Sequence, residues 1–488
     1  MPLLSQLYRP SLMLLTDLYQ ITMAAAAWSS GVARREAVFD LIFREAPFGS
    51  GFTVAAGLEL ALELLEQARF EEGDLAYLAS LREADGAPLF SQEFLRYLSG
   101  VRLAVDVDAV PEGTVVFPQE PLVRVTGPII PCMLLETPLL TLINFQTLVA
   151  TKAARISLAA AGDEVLEFGL RRAQGPDGGV SASRAAYIGG CTATSNVLAG
   201  QLLGIPVRGT HAHSWVMLFG DELAAFQAYA EAMPGNCVFL VDTYDTLEGV
   251  RHAIEVGKWL RTRGKRLLGI RIDSGDLAWL SVQARRMLDE AGFPDASVLA
   301  TNELDEHVIE SLKRQGAAIT IWGVGTRLVT GHDDPALGGV YKLAMVREPG
   351  GPWEPRIKVS EQAVKNSTPG RLQIRRFIDG TGAVADMIWD EEHGPPTRTL
   401  VDPLDPTRRR TIPEQCGWSE LLVPVAREGR RVAVPETLDA IRARVRAQLA
   451  LFHGGIKRFL NPHRYPVGLD RRLHEIRTEL ILAARGHL

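Results

Sequence analysis

The chain has 488 residues, of which 47% are hydrophobic and 23% charged, and a formal net charge of -6. That length exceeds one ordinary core and points to two or three domains. The acidic balance argues against a general nucleic-acid binder. Its four cysteines, Cys132, Cys191, Cys237 and Cys416, are scattered and form no CxxC pair. This disfavours both a zinc knuckle and a disulfide framework and suggests a reducing compartment.

Only Arg9 precedes Asp17 as a basic residue, so the N-terminus does not read as a signal peptide. No uninterrupted apolar run reaches the roughly 18 residues of a membrane span. A soluble, cytoplasmic protein is expected, with no membrane or nucleic-acid partner. Asp17 is placed to cap a helix over 18–28. A second helix is expected over 53–68. Residues 103–130 are rich in valine and punctuated by Pro111, Gly113, Pro118, Pro121, Gly127 and Pro128, the pattern of short antiparallel strands.

A helical pattern over 137–161 opens a different periodicity. Short apolar runs at 165–168, 205–207, 238–241, 267–272, 298–300 and 319–322 alternate with helical segments such as 277–290 and 304–314. Their spacing suits repeated βα units, and polar candidates after every run favour a barrel over a doubly wound sheet. From Val346 the composition shifts through Pro349, Gly350, Gly351, Pro352 and Pro355. Strand-like pieces such as 372–377 follow, then amphipathic helices over 435–452 and 469–484. The expected division is 1–136 and 346–488 as one flanking α+β domain and 137–345 as the barrel.

The residues after the predicted strands carry the functional inference. They are Arg171 and Arg172 before a QGPDGG run; Thr210, His211, His213 and Ser214; Asp242 and Asp245; Asp273, Ser274 and Asp276, with Arg271 just inside its strand; Asn302 and Glu303; and Gly323, Gly325 and Thr326. Glycines let backbone amides approach phosphate, arginines fork onto carboxylates or phosphates, and aspartates face cations. The set suits a phosphorylated sugar carrying pyrophosphate plus a second anionic reactant. Each element has a plainer reading. The glycines can be simple turns, Asp245 and Asp276 helix caps, the arginines solvated charges and His213 a structural histidine. Their coincidence at one end of one barrel favours a functional cavity. His307 and His487 read as surface residues. Trp28 reads as packing, and Tyr19 lies off the apolar face of its helix.

These residues resemble the nicotinate phosphoribosyltransferases. The matching segments are LLTDLYQITMA (14–24), EFGLRRAQGPDGG (167–179), GTHAHSWV (209–216), VDTYDT (241–246), RIDSGDL (271–277), WGVGTRLVTG (322–331), GGVYKLA (338–344) and NPHRYPVGL (461–469). The resemblance runs in order from about residue 12 to residue 480. It implies an irregular α/β barrel of the type II phosphoribosyltransferase kind, with a second α+β domain built from both chain ends. It implies a homodimer with shared active sites. It also implies the first step of NAD salvage: nicotinate and phosphoribosyl pyrophosphate give nicotinate mononucleotide and pyrophosphate. ATP is a co-substrate hydrolysed through a phosphohistidine, Mg2+ is required, and no tightly bound organic cofactor or dedicated protein metal site is implied.

Carried over by position, His213 is the phosphorylated residue, oriented by Asp242, and Asp273 faces the developing ribosyl cation. Tyr19, from the neighbouring subunit, and Phe168 sandwich the pyridine. Arg271, with Thr210 nearby, holds the carboxylate. Arg171, Gly323, Gly325, Thr326, Lys342, Lys358 and Arg44 serve the phosphates. Asn196 stands where related nicotinamide enzymes place an aspartate, which favours the acid over the amide. His211 replaces a residue that is usually apolar, and no role is assigned to it. The alternatives are a nicotinamide- or quinolinate-using enzyme, a metal-dependent barrel hydrolase with zinc on the H-x-H of His211 and His213, and a non-catalytic nucleotide sensor.

Overall fold

In the first half of the chain, residues 36–43 read EAVFDLIF, a strand whose alternate residues Ala37, Phe39, Leu41 and Phe43 all enter one large core while Val38 joins a smaller one on the other face. The computed structural model describes residues 12–486; Arg9 and His487 lie outside them. It divides into a unit of residues 1–148 and 336–488 and a unit of residues 149–335.

In the first unit, Glu36–Phe43 is the strand at which the two chain ends meet. It pairs antiparallel with Gly339–Arg347 on one side and with Pro121–Pro128 on the other. The sheet continues through Asp106–Ala109 and Val423–Arg427 to seven strands. Helices Leu18–Ser29, Leu58–Gln67 and Gln92–Gly100 pack their apolar faces into the same core, with Trp28 against Phe94 and Tyr97. A six-stranded sheet from the C-terminal third includes Leu372–Asp379, Gly382–Asp390 and Val467–Asp470.

Three local expectations need correction. The helix expected over 53–68 begins at Leu58, because Thr53–Val54 forms a two-stranded pair with Val115–Val116. Asp17 precedes its helix but makes no side-chain cap; its carboxylate accepts from the Thr137 hydroxyl instead, at 3.0 Å. The unit boundary falls inside one long helix, Glu136–Ala160, rather than at either of its ends. By length and composition alone, residues 129–160 could cross a membrane, but over half of the apolar 18-residue window within them is buried in the chain's own packing. Lys152 and Arg155 on this helix are fully buried and ion-paired to Glu306.

The second unit is built on a parallel sheet. Its strands are β1 (Glu164–Glu167), β2 (Ala193–Thr194), β3 (Val238–Leu240), β4 (Gly269–Ile272), β5 (Ser297–Ala300) and β6 (Ile321–Val324). They lie in the order β2-β1-β6-β5-β4-β3, every pair parallel. The run at 205–207 is not a strand. Pro206 has no amide hydrogen, and only a bridge at Val207 continues the sheet beyond Thr194. The sheet register sets the C-terminal ends of the strands side by side. The residues that follow them open onto a single space.

Candidate active site

That space is a cavity of about 800 Å³ at the C-terminal ends of the strands. It is lined by Phe168, Arg171, Arg172, Thr210, His213, Arg271, Asp273, Thr301, Glu303, Gly323, Gly325 and Thr326, among others. The ends of β1, β2, β4, β5 and β6 contribute, Ser195 standing for β2, together with the segment after the bridge at Val207; Asp242 and Asp245, which follow β3, are not in the lining.

Arg271 sits on β4 with its guanidinium largely buried. Nη1 donates to Thr210 Oγ1 at 3.0 Å and Nη2 to the His211 carbonyl at 2.8 Å. Its Nε is buried and finds no hydrogen-bond acceptor. Burial lowers its pKa from the usual arginine value, the neighbouring Asp273 and Asp242 oppose the shift, and Arg171 adds to it. The result is a fixed, incompletely used fork in a cavity that holds two further arginines, a geometry suited to a planar carboxylate.

His213 begins a short helix. Its Nδ1 lies 3.1 Å from Thr243 Oγ1, and its Nε2 lies 3.7 Å from Asp273 Oδ2. The residue in contact with the His213 Nδ1 is thus Thr243, where Asp242 is the one expected. Asp242 accepts from the Asp273 amide at 2.9 Å and the Ser274 hydroxyl at 2.6 Å, so it fixes the turn that carries Asp273. Asp273 also accepts a short hydrogen bond from the Thr301 hydroxyl. Ser274 is among the residues expected after this strand; Thr243 and Thr301 were not singled out from the sequence, since hydroxyls after a strand carry no distinctive spacing.

Glu167 was also missed. Fully buried at the end of β1, it accepts from the Gly169 amide and from the hydroxyls of Ser183 and Thr194. Those three bonds fix the turn that presents Phe168 and Arg171. Gly323 leaves the space taken by the Phe168 ring. Beside them Asn302 holds a left-handed backbone (φ 97°) in the cavity wall.

Three expectations fare differently. Asn196 is 2% exposed and does not line the cavity. Its carbonyl caps the helix Val197–Leu203, and its amide donates to Ser183 and the Gly179 carbonyl. Its polar atoms are therefore engaged inside the fold and not presented to the cavity. His211 turns away from any shared metal position with His213, because its Nε2 accepts from the Leu240 amide at 3.3 Å. Among the described residues, no group of three or more His, Cys, Asp or Glu side chains is placed to hold a metal ion. Asp245 and Asp276 do cap their helices, at Glu248 and Trp279.

Tyr19, Arg44, Lys342 and Lys358 belong to the first unit. Tyr19 is 47% exposed. The three cations lie near one another. Burial first, then Arg44 and Lys358, lower the Lys342 ammonium pKa, while Glu136 opposes them.

Family models described as the nicotinate phosphoribosyltransferase N-terminal and C-terminal domains match residues 14–144 and 371–477. The chain is 42% identical over 485 residues to a nicotinate phosphoribosyltransferase of Bacillus subtilis, covering 96% of this chain and 97% of that one. The chain belongs to the nicotinate phosphoribosyltransferase family. The crystal structure of human nicotinic acid phosphoribosyltransferase matches it with a TM-score of 0.82 at 32% identity, over 95% of this chain and 99% of the human one. A Pyrococcus furiosus structure described as a nicotinate-nucleotide pyrophosphorylase shares the fold, with a TM-score of 0.69 at 22% identity. The chain is an enzyme of this family, and its second unit is the irregular α/β barrel of the type II phosphoribosyltransferase fold.

Proposed function

We propose that this enzyme transfers the phosphoribosyl group of phosphoribosyl pyrophosphate to nicotinate, releasing nicotinate mononucleotide and pyrophosphate, and that ATP drives the reaction through phosphorylation of His213. The observation that carries the reading is the fixed Arg271 guanidinium, with its buried unpartnered Nε, in the same cavity as Phe168, His213 and Asp273. Arg271 takes the carboxylate and Phe168 one face of the pyridine. The pyridine nitrogen already has a lone pair, so the site needs no base; it positions the ring and neutralises charge. As the anomeric C–O bond breaks, positive charge grows on the ribose and negative charge on pyrophosphate. Asp273 faces the first, and Arg171, with the backbone of Gly323, Gly325 and Thr326, faces the second.

Magnesium enters with the substrate polyphosphates. The cavity-lining carboxylates Asp273 and Glu303 suit an ion that keeps most of its waters and is brought by phosphate. It supplies charge neutralisation on the leaving pyrophosphate.

We place Arg44, Lys342 and Lys358 as phosphate ligands and Tyr19 as the second ring contact, supplied by the partner in a homodimer. Leu15, Leu18 and Met23, exposed beside Tyr19, support such a contact, as do exposed Met217, Leu218 and Phe219 after His213. Four buried cysteines scattered along the chain fit a reducing, cytoplasmic setting.

The test is mononucleotide formation from phosphoribosyl pyrophosphate and magnesium with nicotinate, nicotinamide or quinolinate, each with and without ATP. Product from nicotinate, stimulated by ATP, is expected; His213→Ala loses the stimulation and the acid-labile phosphate. Product from another pyridine alone would overturn the substrate assignment.

A further inference from the structure

The parallel sheet has two free edges, β2 and β3. Beyond β2 the chain continues the sheet for one residue: the Thr194 amide donates to the Pro206 carbonyl and the Arg208 amide to the Thr194 carbonyl, each at 3.0 Å. Among the described residues, no strand then joins residues 208–212 to β3, which pairs there with β4 alone. An edge strand buried in this way leaves an outward amide that must find an acceptor.

The acceptor is a side chain. The amide of Leu240, a fully buried residue, donates to Nε2 of His211 at 3.3 Å. A second link lies nearby, where Asn236 Nδ2 donates to the Gly209 carbonyl at 3.0 Å. The His211 ring is held among Phe226, Tyr229 and Phe239, with ring centroids 5.8, 5.1 and 6.2 Å away. Since Nε2 accepts, the ring proton sits on Nδ1, which faces the Ala212 carbonyl at 3.4 Å. On its backbone side the same residue accepts from Arg271 Nη2, and its neighbour Thr210 accepts from Nη1. One residue therefore ties the edge of β3 to the guanidinium that faces the cavity.

We propose that His211 is a positioning residue: its imidazole closes the open side of the barrel onto β3 and so fixes the aim of Arg271 at the aromatic acid. A leucine here would fill the aromatic pocket equally well, but it would leave the Leu240 amide buried without a partner. Relieving that cost moves residues 209–212, and Thr210 Oγ1 and the His211 carbonyl move with them. The inference rests on the nicotinate reading for the identity of the ligand, and on the barrel geometry for the rest.

Three variants test it in the full-length enzyme. His211→Leu removes the acceptor. His211→Asn keeps a polar side chain but is too short to reach Leu240. His211→Gln carries its Oε1 to the place of Nε2. The expected result is a KM for nicotinate raised about tenfold in His211→Leu and His211→Asn. The KM for phosphoribosyl pyrophosphate stays near the wild-type value in all three variants, and His211→Gln returns the nicotinate KM to wild type. Hydrogen exchange at the Leu240 amide is expected to quicken in the first two variants and not in the third, and this readout needs no activity.

Wild-type kinetics in His211→Leu would overturn the proposal. So would a loss of kcat alone, equal in all three variants with both KM values unchanged, because that reports only a smaller folded fraction. If the wild-type enzyme makes no mononucleotide from nicotinate, the substrate reading fails. The exchange pattern then still decides whether His211 closes the barrel.

Discussion

Gly323 and Phe168 compete for one volume. A Cβ on Gly323 would lie 2.8 Å from Cδ2 of the Phe168 ring and 2.6 Å from the Thr301 methyl. Neither neighbour can withdraw freely, since the Thr301 hydroxyl is bonded to Asp273. Gly323→Ala is therefore expected to displace the ring contact, the Asp273 contact or both. Nicotinate KM should rise about tenfold or more, and stability should fall by about 1–3 kcal/mol. Steady-state kinetics with a thermal melt checks this; an unchanged KM would falsify the ring-contact role of Phe168.

Arg271→Lys keeps the charge and loses the fork. A lysine cannot bond Thr210 Oγ1 and the His211 carbonyl while offering a planar pair of donors to a carboxylate. The expected loss is about 2–3 kcal/mol of nicotinate binding, roughly 30- to 150-fold in KM. The preference for nicotinate over nicotinamide should narrow in the same assay. A KM within about twofold of wild type would remove the carboxylate from Arg271.

Much of this site was legible because strand-end residues cluster whatever the fine geometry. An apolar run followed by Arg271 and Asp273, or by Thr210 and His213, places those side chains at one end of a parallel sheet. What escaped was the wiring beneath. Glu167 reads as one more charged residue beside a strand, and only its three hydroxyl and amide donors show why it is buried. Thr243 was hidden by Asp242, a more conspicuous neighbour. Asn196 misled because its position suggested a ring contact, whereas its side chain is consumed by a helix cap and a serine. In the fold, Glu36–Phe43 went unremarked, because an apolar run buried on both faces carries no clear alternation. Its two partner strands, Pro121–Pro128 and Gly339–Arg347, lie about 80 and about 300 residues further along the sequence.

The buried cluster behind the barrel should be intolerant of partial removal. Lys152 Nζ lies 3.0 Å from one Glu306 oxygen and Arg155 Nε 2.8 Å from the other, with all three side chains fully buried. Glu306→Gln leaves two buried cations short of their counter-charge, at an expected cost of about 3–5 kcal/mol. Chemical denaturation measures it. A change below about 1 kcal/mol would mean that water or Asp333 takes over the charge.

His211 gives the enzyme an acid-sensitive element. Burial lowers its pKa from 6.5 to about 4; Arg271 and His213 push the same way, and the Ala212 carbonyl opposes them. The unfolded chain then binds a proton between those two values that the folded chain does not. Stability is full above about pH 6.5 and falls as pH drops toward 4, by up to roughly 3 kcal/mol from this group. His211→Gln should flatten that part of the profile. An identical profile in the variant would assign the acid loss to other groups.

Asp40 works in the opposite sense. It lies on the central strand of the first unit, 2% exposed, and neither carboxylate oxygen has a hydrogen-bond partner. Arg124 is its cross-strand neighbour but is engaged by Asp108, Glu391 and the Leu372 carbonyl. Burial pushes the Asp40 pKa well above the usual carboxylate value; Arg124 opposes this, and Asp390 and Glu391 add to it. The folded chain holds a proton that the unfolded chain releases near pH 4, so raising the pH beyond that costs stability until the folded group itself ionises. Asp40→Asn carries no such proton. Its advantage over the wild type should widen as pH rises above about 4, by at most about 1.4 kcal/mol per pH unit, until the folded Asp40 ionises. Paired urea titrations across that range measure the slope; a difference that is flat or narrows with pH would show that Asp40 is ionised in the folded enzyme.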